Sequence, residues 1–184
     1  MNQLNSKIVI KRKKRKNISA IFYDNLLEWV DFFRANPHRV ITDYLGLMLH
    51  DFQNILIYEM DKYNSVIFVG SRGIAKSTVA LLFAIVRAIL YPGQQIVIVA
   101  PTRDQSGRFI GKVREFMRDS KNLRNEIKDL HLSAQNSSIE FHNGSRIYAV
   151  PYSENALGEI FISYIHYILN LINLGGTYNE QKIH

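Results

Sequence analysis

Cysteine is missing altogether from this chain of 184 residues. Its absence excludes a disulfide framework, thiolate metal sites and a cysteine nucleophile. The six histidines show no metal-ligand spacing, no Ser/His/Asp constellation stands out, and no internal repeat is evident. A secretory signal is not expected either: the basic start is not followed by a suitable apolar core and cleavage site, which makes a cytoplasmic protein the default expectation. Acidic residues are lacking from the first 17 positions, which hold Lys7, Lys11, Arg12, Lys13, Lys14, Arg15 and Lys16. Taking those seven from the 23 basic residues leaves 16 against 16 acidic ones over the remainder. The net charge of +7 therefore belongs to the tail. The run KRKKRK fits a contact with nucleic acid phosphates or an acidic partner, and equally a solvated, disordered arm. The length is that of one domain with a sizeable core.

What is present is organised around residues 65–78, SVIFVGSRGIAKST. The run Val66-Ile67-Phe68-Val69 is short and β-branched, as in a buried strand. Gly70 breaks it, and Lys76-Ser77-Thr78 opens an apolar segment of helical length. A strand, a tight loop and a helix start with Lys-Ser at the junction is the build of a phosphate-binding P-loop. Backbone N–H groups of Gly70, Ser71, Arg72, Gly73, Ile74, Ala75, Lys76, Ser77 and Thr78 would face the phosphates. Lys76 would reach the β- and γ-phosphates of ATP, and the Ser77 hydroxyl would hold Mg²⁺. Gly70 and Gly73 allow a close approach of backbone to ligand. Ala75 stands where the general pattern G-x-x-x-x-G-K-[ST] has its last glycine. If that position needs a left-handed backbone, its Cβ costs about 1–2 kcal/mol.

Along the chain, residues 21–35 space Leu26, Leu27, Val30 and Phe33 on one helical face, widened by Trp29 and Phe32. Asn36-Pro37 stops that helix. Gly46 precedes a second helix over 51–62, with Asp51 as its expected N-cap. Gln53 at its start has two readings: a solvated glutamine, or an amide whose acceptor and donors suit the edge of adenine. Tyr91-Pro92-Gly93 is a turn, QIVIVA over 95–100 a second buried strand, and Phe109, Val113, Phe116 and Met117 mark another helix. Short alternating runs over 137–141 and 146–150 around His142-Asn143-Gly144-Ser145 predict a hairpin. The fold class expected is α/β, a mostly parallel sheet flanked by helices.

These pieces resemble one family, the large terminase subunit of tailed bacteriophages, in its N-terminal ATPase (DNA-packaging motor) domain. The resemblance runs through FFRANPHRVITDYLG, LHDFQNILIYEM, VGSRGIAKST, IVIVAPTRDQSG and IEFHNGSRIYAVPYSENALG, in order, from Trp29 to Gly158. It implies a Rossmann-like, additional-strand ATPase fold with ATP and Mg²⁺ as cofactors. It further implies that Gln53 recognises adenine and that Arg72 acts in cis on the γ-phosphate, so that Arg72 and Lys76 are the catalytic residues. Partners implied are double-stranded DNA, a portal protein and a small terminase subunit, in host cytoplasm and transiently at the prohead portal.

The pattern departs from the family after the hairpin. ATP hydrolysis needs carboxylates to organise Mg²⁺ and the attacking water. Beyond Val150 the acids are Glu154, Glu159 and Glu180, none of them part of a pair ending an apolar strand. The nuclease domain that the resemblance implies is not expected within these 184 residues either. Residues 160–176 carry no formal charge, but His166, Asn170 and Asn173 interrupt them, so an amphipathic or buried element is expected over a membrane span. Non-family sequence, through a frameshift or an intervening element, is a further reading of 159–184. The organisation expected is a disordered basic tail over 1–19, a partial, truncated ATPase domain over 20–158 and an atypical tail over 159–184. As a lone chain it should bind ATP·Mg²⁺ with little turnover, a second chain supplying the missing half. The alternatives are a helicase-like P-loop ATPase, which VAPTRDQ also resembles, and a non-enzymatic assembly module with a vestigial P-loop.

Overall fold

A computed structural model describes residues 18–63, 66–69, 74–100, 103–131, 137–151 and 167–170. The N-terminal basic run, the proposed glycine loop at 70–73 and most of the C-terminal tail lie outside them. Helices α1 (Ile18–Ala35), α2 (Pro37–Arg39) and α3 (Asp51–Lys62) come first, with a π-helical turn at Val40–Tyr44 between the last two. Then follow α4 (Lys76–Leu90), β1 (Gln95–Ala100), α5 (Arg103–Asp119) and α6 (Lys121–Glu126). Strands β2 (Ile127–His131), β3 (Ser137–Phe141), β4 (Arg146–Pro151) and β5 (Tyr167–Asn170) complete the order.

The five strands form one sheet in the order β2-β3-β4-β1-β5. β1 is parallel to β4 and to β5, whereas β2–β3 and β3–β4 are antiparallel. The architecture is α/β as expected, but the sheet is mixed because the hairpin brings its own antiparallel partners. Asn143-Gly144 turns the β3–β4 hairpin as the sequence predicts, with Gly144 at φ 84°, a left-handed value that a side chain would resist.

Alternation along β1 and β4 divides the core. Ile96 and Ile98, with Ile147 and Ala149, face the main core, which also takes in α4 and, from α5, Ile110 and Val113. Val97, Val99 and Val150 form a second, small cluster with Tyr148. The period of two along a strand sends these two sets to opposite faces. Helix α4 is apolar nearly all round and is buried from Val79 to Ala88, as befits a helix enclosed by its neighbours.

Two expectations change. The run Val66-Ile67-Phe68-Val69 lies outside any strand and is exposed, Ile67 at 93%. Both edges of β1 are taken by β4 and β5, so the run has no place beside it. On α1, Phe33 is buried and Trp29 packs with it at 4.6 Å, but Leu26, Leu27 and Phe32 are exposed. Trp29 and Phe33, one turn apart and both within the apolar face that the period marks, are the part of it that meets the core, while the rest of that face stays more exposed.

The end of α4 is held by side chains from two distant segments. Asn143 Nδ2 donates to the carbonyls of Ala88 (2.7 Å) and Ile89 (3.3 Å). Arg34 Nη2 donates to Leu90 (3.1 Å), and Ser145 Oγ to Tyr91 (3.0 Å). Ser145 Oγ also accepts from the N–H of Gln94 at 3.1 Å. Helix ends leave such carbonyls without intrahelical partners, and here four in a row find them. Replacing Asn143 by alanine strips two of these acceptors, and Asn143→Ala should lose about 1–3 kcal/mol of stability, read as a lower urea midpoint at unchanged m-value.

A second clasp joins the π-helical turn to α6. Tyr44 Oη donates to Glu126 Oε1 at 2.5 Å, and Asn122 Nδ2 donates to the Tyr44 carbonyl at 2.5 Å. Burial first, then the bond to the Glu126 carboxylate, pushes the Tyr44 phenol up from 10.0 to about 12. The folded chain thus holds this proton more tightly than the unfolded one, and the clasp's stabilisation is complete below pH 10.0 and lost as pH rises to about 12. Urea midpoints should place wild type above Tyr44→Phe below that window, with the difference gone above it.

Candidate functional site

Ile74, Ala75, Lys76, Ser77 and Thr78 come together at the start of α4, while Gly70, Ser71, Arg72 and Gly73 lie outside the described residues. Ala75 is the N-cap, with φ 58° and ψ 29°. Among the described residues it is the one non-glycine at positive φ. The position whose glycine the general pattern prescribes is therefore left-handed here, and the Cβ of Ala75 carries the strain that the sequence made conditional, about 1–2 kcal/mol.

The geometry of the cap decides which donors the helix presents. The Ala75 carbonyl accepts the N–H of Val79 at 3.0 Å. The preceding amides, those of Lys76, Ser77 and Thr78, fall in the first turn, where no carbonyl of the helix can reach them. Alanine has no side chain to cap them, and no side-chain cap bond is made from this position. Ser77 is exposed and Lys76 half-buried. Three amides, a hydroxyl and an ammonium at the positive end of a 15-residue helix form a donor set suited to an anion.

Gln53 is buried at 6% exposure on α3. Its carboxamide oxygen accepts the N–H of His50 at 3.0 Å, so part of its hydrogen-bonding capacity is spent on its own helix start. The N-cap of α3 is His50, not Asp51, which sits one residue inside. This corrects the expectation from Asp51: the chain is extended at His50 (φ −75°, ψ 155°), and the reach-back from Gln53 holds it there.

α3 in turn is tied to α4. Arg87 Nη1 and Asp61 Oδ1 stand 2.6 Å apart, both largely buried, and the Arg87 guanidinium lies over the Tyr91 ring at 3.9 Å. Reading the sequence alone missed Arg34, Asp61 and Arg87 as positioning residues. Arg87 had a signal, being a single cation inside an apolar helix, where a charge needs a partner.

No family model matches the chain, and no curated protein matches it. Among solved structures, it is similar to the large terminase ATPase domain of Thermus phage P74-26 and to an arginine-to-alanine mutant of that domain. In both cases the identity is 18%, the TM-score 0.48, and the overlap 70% of this chain. The chain spans 55% of the length of either domain.

Replacing Ala75 by glycine should reverse the usual cost of glycine at a helix end. Relief of the left-handed strain exceeds the extra freedom of the unfolded chain, so Ala75→Gly should hold or raise stability by up to about 1 kcal/mol. A fall of that size in urea unfolding would show that φ at this position is not what the chain has to overcome.

Proposed function

We propose that this chain is a nucleotide-binding part of a terminase-like DNA-packaging ATPase. One observation carries the reading: Lys76 and Ser77 open α4 directly after a left-handed residue, with helix-first-turn amides alongside them and the parallel strand β1 following. The donor set fits a triphosphate in its chemistry. ATP supplies the phosphoanhydride and Mg²⁺ the charge neutralisation that such transfers require.

In this reading Lys76 binds the β- and γ-phosphates, and Ser77 holds the metal ion. The amides of Gly70, Ser71, Gly73, Ile74, Ala75 and Thr78 line the cradle. Arg72 neutralises charge on the γ-phosphate, and Gln53 turns its amide toward adenine. Sequence resemblance supports the last two roles. The partners that belong to this function are double-stranded DNA, a portal protein and a small terminase subunit, with the prohead portal as the place of work. Because no acid pair ending an apolar strand occurs within 1–184, this chain on its own binds ATP·Mg²⁺ and turns it over slowly.

Thermal unfolding with Mg²⁺ and a nonhydrolysable ATP analogue tests both halves. A Mg²⁺-dependent rise in Tm that Lys76→Ala removes is the expected result, with ATP turnover close to background. No rise at all would favour a non-enzymatic assembly module. Motor-like turnover abolished by Lys76→Ala would overturn the claim of slow hydrolysis.

A further inference from the structure

In the reading above Gln53 is the side chain that meets the base, and the way it is held decides what it can read. Its Oε1 accepts the N–H of His50 at 3.0 Å, three residues back across the start of α3. A backbone N–H can only donate, so the end of the amide that faces it is the oxygen. Turning the amide round would leave that N–H bare at a helix start, where the helix offers it no carbonyl. The side chain is 6% exposed, which shelters the bond from competing water. Nε2, by contrast, makes no hydrogen bond among the described residues and is not closed off from solvent.

Telling adenine from guanine takes both ends of an amide. Each base presents an N7 acceptor; they part at position 6, where adenine carries an amine and guanine a carbonyl. A glutamine reads adenine by donating to N7 and accepting from the N6 amine. With Oε1 engaged by its own helix, Gln53 keeps the donating half, and that half fits either purine.

Among the described residues, the neighbours of Gln53 at the start of α3 do not restore the choice. Asn54 is next in the chain, but consecutive helix residues point about 100° apart, and its Oδ1 is buried. Asp51 is exposed and its carboxylate only accepts, which suits the N6 amine of adenine and the N2 amine of guanine equally. His50 and Phe52, both exposed, hold their rings within 7° of parallel at 6.0 Å. A ring face attracts every base. Lys76, Ser77 and the first-turn amides of α4 address phosphate and metal, which the two nucleotides share.

We propose that the site takes ATP and GTP alike, Gln53 giving an N–H to the purine while its oxygen stays with His50. The inference rests on the nucleotide-binding reading and widens its substrate class from adenine to purine nucleoside triphosphates. Cap and base contact do not compete, because each uses a different end of one amide.

The test is titration calorimetry of the full chain in Mg²⁺ with nonhydrolysable analogues of ATP and of GTP. The two Kd values should agree within about fivefold, the least discrimination that a two-bond reading of a base provides. A larger preference for either nucleotide would overturn the proposal. Gln53→Glu keeps an oxygen for the His50 N–H and removes the donor, so it should weaken both analogues by roughly 2–10-fold and leave their ratio unchanged. A loss confined to the ATP analogue would show the amide reading adenine at both ends, and no loss for either would remove the base contact; each result would overturn the proposal. Binding of the ATP analogue without the GTP analogue counts against this inference alone. Binding of neither counts against the nucleotide site itself and takes the inference with it.

Discussion

Four consecutive carbonyls, from Ala88 to Tyr91, close the buried helix on which the rest of the molecule is assembled. An apolar helix can be enclosed by sheet and helices on hydrophobic grounds alone, but its polar ends cannot. The last turn of α4 is satisfied from outside, by Arg34 at the end of α1 and by Asn143 and Ser145 at the tip of the β3–β4 hairpin. Arg34 adds a positive charge where the helix dipole is negative. One cluster of bonds thereby fixes α1, α4, the turn into β1 and the hairpin relative to one another.

The consequence is felt at the other end of α4, about 21 Å away along the axis. Asp61 and Arg87 tie α3 to the same helix, and burial from Val79 to Ala88 leaves it no freedom to shift. Ala75 can then be held in a conformation it would not choose, because the surrounding structure over-determines it. Strain at a helix start is costly, and here it sits directly beside Lys76 and Ser77. The hairpin and the site belong to one mechanical unit although no chemistry connects them.

The surface shows a similar division. Apolar side chains stay exposed along α1, α3 and residues 66–69, while α5 and α6 expose charge. The basic N-terminal run accounts for the net charge of the chain, yet it concealed a local excess on α5 that composition averaged away. The helix period and the burial of Phe109, Ile110 and Val113 decide which side of α5 faces water.

Local chemistry was enough to place the helix at 51–62, the strand at 95–100 and the Asn143-Gly144 hairpin, since each is set by short-range periodicity or turn residues. It also posed the question of Ala75 correctly. It could not say that 66–69 would lie outside the sheet, because a short apolar run reads alike as strand or linker until the edges beside β1 are filled. Nor could it say which part of the apolar face of α1 meets the core, or that Asn143 and Ser145 serve α4 more than fifty residues earlier. Sequence determined the elements and the donor-rich junction at Lys76-Ser77, which depend on neighbours in the chain. Tertiary structure alone decided the strand order and the capped end of α4, because each depends on groups far apart in the chain meeting in space.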